Sequence, residues 1–171
     1  MTDRNGTLAQ AVYGLADIAA QRPVENDTVF EIGSISKGFT AALLLQARDS
    51  GLLDLDAPVT RYLPWFAVRS AFGPITVRHL LTHTAAIVGG AEYTGDSAFE
   101  VWALRETEAT TAPGNWYYYS NTGYKALGLV VEAIYRKPYE QVLEENLLAP
   151  LGMAASDAAI THDTRRRMAV A

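Results

Sequence analysis

The feature that most constrains how this chain can fold is the uneven distribution of strand-like and helix-like sequence along it. Two β-rich segments, at about 8–14 and 28–33, are joined by a connection that contains proline, asparagine and aspartate, which predicts a hairpin-like pair. From Ser34 onward, apolar residues recur mainly at helical spacing. Because two or three strands leave unpaired edges, strands from another segment or another chain are needed to complete the sheet.

The sequence therefore predicts an α+β fold, with a partial antiparallel sheet over residues 1–33 and a mostly helical part over 34–171. A length of 171 residues suits one globular domain, and we interpret 1–171 as a single, partial one. Gly51 is a stop signal for the first helix. The predicted helices cover 34–50, a short segment capped by Thr76, 97–108, a segment from Asn121 and a segment after Pro138.

Composition excludes several classes of function. The chain is 49% hydrophobic and 19% charged, as is ordinary for a folded protein, and its net charge of −5 predicts no nucleic-acid partner. We interpret the basic run 165–167 as solvated surface. The absence of cysteine excludes disulfides and thiol catalysis. Apolar runs are too short for a membrane span, and the N-terminus lacks the apolar core of a signal peptide. The chain as written is therefore predicted not to be exported, and its compartment stays open.

The segment "FEIGSISKGFTAALLLQ" places Lys37 three residues after Ser34, where an extended run gives way to a helix. Residues three apart share one face of a helix, so the lysine amine can reach the serine hydroxyl. A serine needs a base before it acts as a nucleophile, and a helix N-terminus favours a developing oxyanion. The alternative is a helix-capping serine followed by a surface lysine.

A second pattern is Tyr119-Ser120-Asn121, in "WYYYSNTGYKALG". In extended backbone, side chains two residues apart point to the same side, so Tyr119 and Asn121 can face one substrate. The phenol can relay a proton, and the amide can both donate to and accept from a substrate amide. The alternative is that Tyr119 packs in the interior and Asn121 caps a helix.

A third pattern is the pair His79 and His83, in "RHLLTH". Histidines four apart on a helix face can bind zinc, but the glutamate that metalloproteases place after the first histidine is missing, as is an obvious third ligand. A serine–histidine–acid triad using His83 is a further alternative. We therefore predict no metal and no cofactor.

Several segments then occur in a familiar order: "VFEIGSISKGFTAALLL", "GLLDLDAPVTRYLPWF", "ITVRHLLTHTAAI", "YYYSNTGYKALGLVVEAI" and "LLAPLGM". They resemble the serine β-lactamase and penicillin-binding-protein superfamily. The chain looks most like the branch that holds class C β-lactamases, family VIII carboxylesterases and D-amino-acid peptidases. The resemblance runs from about Ala11 to Met153, and it implies the α+β fold of the β-lactamases and transpeptidases.

The resemblance implies a serine hydrolase that forms an acyl-enzyme with a small-molecule substrate: a β-lactam, a small ester or a D-amino-acid peptide. Ser34 would be the acylated nucleophile, and its backbone N–H one oxyanion donor. Lys37 would accept the proton, Tyr119 would share that transfer and Asn121 would orient the substrate. His83 would belong to a structural turn. Members of this superfamily are often periplasmic or secreted, and some are cytoplasmic.

The chain departs from the family's pattern in two places. Ala86 replaces the glycine of H-T-S-G, and alanine tolerates positive φ poorly, so we expect that turn to change. The family's third motif, a Lys- or His-x-Gly strand that supplies a second oxyanion donor, does not occur after Met153.

From these departures we expect the chain to be the N-terminal and helical part of a longer hydrolase, without its C-terminal strands, and weak or inactive by itself. Slow acylation of Ser34 without turnover is compatible with this. The alternative is a non-catalytic module of the same fold that binds a ligand or partner, with a homo-oligomer or a C-terminal segment completing the sheet.

Overall fold

The computed structural model describes residues 1–4 and 6–170 and combines a helical body with two short hairpins. Within this part of the chain the helices are α1 (Ser36–Asp49), α2 (Val77–Leu81), α3 (Ser97–Ala103), α4 (Asn121–Tyr135), α5 (Tyr139–Leu143) and α6 (His162–Arg167). The strands are β1 (Thr2–Asp3), β2 (Gly6–Thr7), β3 (Leu15–Asp17) and β4 (Arg22–Pro23). No helix of the described residues has the length and apolar character that a bilayer crossing requires.

The strands lie elsewhere than predicted, and they are shorter. β1 pairs with β2 and β3 pairs with β4, both antiparallel, so residues 8–14 are not a strand. Of the predicted strand 28–33, only Val29 makes a bridge, and the segment ends in a 3₁₀ turn. The error has a physical cause: strand-forming residues become a strand only where a partner backbone is available, and sequence composition does not show the partner.

Part of the backbone pairing that the N-terminal segment needs comes from residues 168–170. The Val170 N–H donates to the Ala16 carbonyl at 2.6 Å, and the Ala169 N–H donates to the Val29 carbonyl at 2.9 Å. Residues 168 and 170 thereby form parallel bridges to the N-terminal segment. These isolated bridges add backbone contacts to the N-terminal segment, but residues 168–170 do not form a further strand of either hairpin. The division into 1–33 and 34–171 stays a prediction.

The core lies where α1 and α4 pack against each other and against α5 and the turn that follows it. Leu43 and Leu44 of α1 and Leu127 and Val131 of α4 are fully buried. Their spacing places them on the inner faces of the two long helices, as an amphipathic pattern requires. α1 ends at Asp49, and Gly51, the predicted stop signal, follows two residues later with a φ of 72°, which suits a left-handed residue after a helix. The π-helical turn Glu144–Leu148 follows α5 directly.

Side chains cap the N-termini of the short helices α2 and α3. The Thr76 hydroxyl accepts from the His79 N–H, and His79 Nδ1 accepts from the Thr76 N–H, which together form a capping box for α2. Asp96 caps α3 by accepting from the Phe99 N–H. The predicted helix over 97–108 is therefore present as α3 and a 3₁₀ turn, Leu104–Glu106.

Candidate active site

Ser34 lies in a 3₁₀ turn, Gly33–Ile35, immediately before α1. The turn begins with a φ of 51° at Gly33, a left-handed value that glycine adopts without steric cost. The helix therefore begins two residues later than predicted, but the relation between the two side chains is kept. Lys37 Nζ donates to Ser34 Oγ at 3.2 Å.

Tyr119 and Asn121 reach the same point from a distant part of the chain. The Tyr119 hydroxyl and Ser34 Oγ share a hydrogen bond of 2.6 Å. Lys37 Nζ donates to Asn121 Oδ1 at 2.9 Å. The structure thus brings all four predicted side chains into one hydrogen-bonded cluster. The alternatives in which Ser34 only caps a helix and Lys37 is only a surface charge do not describe this geometry.

Ser120 and His83 position the segment that carries Tyr119 and Asn121. The Ser120 hydroxyl accepts from the Gly123 N–H at 3.0 Å, so Ser120, and not Asn121, is the N-cap of α4. The Ser120 N–H donates to His83 Nδ1 at 3.2 Å. The His83 ring lies against the Tyr119 ring, with centroids 4.5 Å apart. These contacts leave the Asn121 side chain free to face Lys37.

The electrostatics of the cluster favour an ionised phenol. The Lys37 ammonium, and after it the Ser34 hydroxyl, stabilise the phenolate and lower the pKa of Tyr119. The Lys37 nitrogen also lies 4.8 Å from the centroid of the Tyr119 ring. As a phenolate beside the Lys37 ammonium, Tyr119 can therefore take a proton that leaves Ser34.

The two histidines do not share a helix face, because α2 ends at Leu81 and His83 has a φ of 57°. Each uses its Nδ1 to accept a backbone N–H, His79 from Thr76 and His83 from Ser120. Burial lowers the pKa of both imidazoles, and the Lys37 charge lowers that of His83 further. Over the described residues there is no group of three or more His, Asp or Glu side chains that could hold a metal.

Ala86 adopts the left-handed conformation that glycine would favour, with a φ of 57°. An alanine therefore holds a backbone conformation here that is strained for an L-residue.

A cavity of about 660 Å³ opens beside Ser34 and Lys37, between α1, α4 and α5. Tyr93 and Tyr124 are among the residues that line it. Next to it lies an ion pair that the sequence analysis missed, in which Lys125 donates to the fully buried Glu100. In the sequence, the only indication of this ion pair was Glu100 itself, a charged residue on the apolar face of α3, four residues before the buried Leu104.

Comparison with known proteins defines the family. A β-lactamase family model matches residues 1–169. A β-lactamase from Providencia stuartii is 36% identical over 87% of this chain and 39% of its own length. Esterase EstB from Burkholderia gladioli is 34% identical over 85% of this chain and 42% of the esterase. The solved structure of EstCE1, a hydrolase with promiscuous acyltransferase activity, matches 92% of this chain and 46% of EstCE1, with a TM-score of 0.81 and 26% identity.

The chain belongs to the β-lactamase family, whose members among these relatives are serine hydrolases. The predicted fold class and the family resemblance are thereby confirmed. The chain spans less than half the length of the relatives and of the structure that it matches.

Proposed function

We propose that this chain carries the nucleophile half of a serine hydrolase active site and works by forming an acyl-enzyme. Ser34 Oγ attacks the substrate carbonyl carbon, and the hydroxyl proton passes to the Lys37–Tyr119 pair. The bond from that carbon to the leaving group breaks, and the leaving group takes the proton back from the pair. Water then attacks the acyl carbon and loses a proton to the same pair. The bond from that carbon to Ser34 Oγ breaks, Oγ takes the proton from the pair, and the carboxylic acid product leaves.

The proposal depends on one observation: the hydroxyl of Ser34 contacts both Tyr119 and Lys37. Ser34 Oγ is 2.6 Å from the Tyr119 oxygen and 3.2 Å from the Lys37 nitrogen. Both distances permit direct proton transfer, which a helix-capping serine does not need. Ser34 is also exposed and borders the cavity, so a substrate carbonyl has access to it.

The side chain of Asn121 favours a substrate that has an amide or ester carbonyl. Its Oδ1 is occupied by Lys37, which leaves the amide N–H groups to donate to a substrate oxygen. A β-lactam, a small ester and a D-amino-acid peptide all carry such an acceptor near the reacting carbonyl. These are the substrate classes that we propose.

We further propose that the chain by itself acylates slowly and turns over little. Its sequence contains no Lys- or His-x-Gly triplet after Met153 that could donate a second hydrogen bond to the oxyanion. Loss of one such donor typically costs about 100- to 1000-fold in rate.

The test is intact-mass measurement after exposure to a fluorescent penicillin and to an ester-type phosphonate. We expect one covalent adduct on the wild-type chain and none on Ser34→Ala, with a strongly reduced rate for Lys37→Met. An equal adduct on Ser34→Ala, or none on the wild type with either probe, would reject the proposal.

A second candidate is a non-catalytic module that completes its sheet with another copy or another segment. The observation that favours it is the sheet itself, whose strands are only two or three residues long. Light scattering after size-exclusion chromatography measures the oligomeric state and so distinguishes the hydrolase from the non-catalytic module. A monomer that hydrolyses p-nitrophenyl esters, and loses this activity in Lys37→Met, contradicts the module.

A further inference from the structure

The carboxylate of Glu100 is the only charged group among the buried polar residues in the described part of the chain, with an exposed fraction of 0%. One oxygen, Oε1, accepts from the Thr94 N–H at 2.7 Å and from the Thr94 hydroxyl at 3.0 Å. The other, Oε2, accepts from Lys125 Nζ. Burial raises the pKa of this carboxyl, but the hydrogen bonds from Lys125 and Thr94 outweigh it and hold that pKa below its usual value. The group therefore stays charged inside the protein.

Lys125 connects this carboxylate to the candidate active site. It lies on α4, one helical turn after Asn121, and it lines the same cavity as Ser34 and Lys37. A buried ion pair contributes little net stability, because removing both charges from water offsets their attraction. Apolar side chains would pack α3 against α4 equally well. We therefore look for a role of the ion pair other than stabilising the core.

The role that the contacts indicate is to fix the short loop before α3. At one end of this loop, the Glu92 carboxylate accepts from the hydroxyl of Thr122, the residue after Asn121, at 3.4 Å. At the other end, Thr94 is held by Glu100. Between these two contacts, Tyr93 has a φ of 63°, which an L-residue adopts only when its surroundings hold it there.

Tyr93 is one of the residues that line the cavity beside the nucleophile. Of its surface, 86% is exposed, so its ring is open for contact with a bound molecule. Aromatic rings attract other rings by offset or edge-to-face packing.

We propose that the buried Glu100–Lys125 pair is a positioning element of the active site, which holds Tyr93 over the cavity so that its ring selects substrates with an aromatic acyl group. This inference rests on the proposed function, because it assigns the acyl side of the substrate to the cavity beside Ser34.

The experiment compares the rate at which Ser34 is acylated by p-nitrophenyl phenylacetate and by p-nitrophenyl acetate, followed as released nitrophenol and as adduct mass. Replacing Tyr93 by alanine should lower the phenylacetate-to-acetate rate ratio by about two- to tenfold, the usual effect of one aromatic contact. Tyr93→Phe should keep the ratio. Tyr13→Ala is the matched control, since Tyr13 is equally exposed at 86% and does not line the cavity.

The role of the ion pair is tested by its coupling to Tyr93. Glu100→Gln should lower the rate ratio as Tyr93→Ala does, and the double variant should lower it no further. Glu145→Gln, which removes an exposed ion pair with Lys137, is the control and should leave the ratio unchanged. A Glu100→Gln variant that slows both esters equally would show a purely structural role and would overturn the positioning claim.

Since the Tyr93 ring is on the surface, the Tyr93 variants decide the selectivity claim even where Glu100→Gln does not fold. In that event Thr94→Val replaces it in the coupling test, because it removes the hydroxyl contacts of Thr94 to Glu100 and Asp96 and keeps the Thr94 N–H contact to Glu100. An unchanged ratio in Tyr93→Ala overturns the inference while leaving the proposed function intact. If neither ester acylates a wild type that the penicillin or the phosphonate labels, the inference is overturned and the proposed function stands. Absence of acylation by all four probes removes both.

Discussion

At the scale of single residues, the chemistry of the site depends on the contacts that the Lys37 ammonium makes with its neighbours. Its ammonium donates to Ser34 and Asn121 and lies against the Tyr119 ring. No other cation is placed so near these groups in the described residues. The charge therefore acts directly on the phenol of Tyr119.

This arrangement predicts an acidic tyrosine. The titration midpoint of Tyr119 should lie below 10.0, the ordinary value, because Lys37 and Ser34 stabilise the phenolate. Ultraviolet difference titration of the wild type against Tyr119→Phe isolates this phenol from the other tyrosines. Lys37→Met should move the midpoint back upward. A midpoint that does not respond to Lys37→Met would contradict the role given to the ammonium.

The neutral imidazole of His83 leads to a prediction about stability and pH. The folded protein holds the pKa values of His83 and His79 below 6.5, so the folded state binds fewer protons there than the unfolded chain. Stability from these groups is fully present above about 6.5 and is lost as the pH falls toward the folded pKa values. Urea unfolding on both sides of that pH should show the decrease.

His83→Asn is the informative variant for this prediction. Asparagine tolerates the left-handed backbone of His83, and its Oδ1 can accept the Ser120 N–H in place of Nδ1, but it does not titrate. We expect a smaller pH dependence in the variant. An undiminished slope would assign the effect to other groups.

At the scale of elements, the turn after α2 carries backbone strain. His83 and Ala86 both have φ values of 57°. The turn matters for the site because the His83 carbonyl accepts from the Tyr118 N–H at 2.7 Å, next to Tyr119. The strained turn and the segment that carries Tyr119 are therefore held together by backbone as well as by the His83 ring.

Ala86→Gly should stabilise the protein. A left-handed conformation costs an L-residue about 1–2 kcal/mol, while the added freedom of glycine in the unfolded chain costs about 0.4–1 kcal/mol. The expected net gain is about 0.5–1 kcal/mol in the free energy of unfolding, measured by urea denaturation. Ala85→Gly is the matched control, because Ala85 is also buried but has no positive φ. It should lose stability, and a loss in both variants would remove the strain argument.

At the scale of the whole molecule, stability is centred on the helical body and not on the hairpins. The contacts of α4 with α1, α2, α3 and α5 make it the central element of the fold. The hairpin segment, by contrast, exposes apolar residues such as Leu8, Tyr13 and Ile18. The site is built on the N-terminal ends of the two long helices, so the most stable part of the molecule supports it.

Leu127→Ala should therefore destabilise the protein by about 2–5 kcal/mol, as expected for a fully buried leucine that leaves a cavity. Leu8→Ala, at an exposed leucine, should change the free energy of unfolding very little. Both are measured by urea denaturation. Equal losses in the two variants would place the N-terminal segment in the cooperative core.

The sequence by itself determined the local parts of this site. The three-residue spacing of Ser34 and Lys37 and the two-residue spacing of Tyr119 and Asn121 are properties of one helical turn and of one short extended segment. The long helices and their stop signals were likewise predictable, because apolar spacing and glycine conformation act within a few residues.

Only the tertiary structure decided which distant groups meet. The Ser34–Tyr119 hydrogen bond joins residues 85 positions apart, and the Glu100–Lys125 pair joins two helices whose charges look solvent-exposed in sequence. The strands were misplaced for the same reason, since their partners include residues 168–170 at the other end of the chain. Contacts of this kind depend on how the helices pack, and no spacing along the chain encodes that packing.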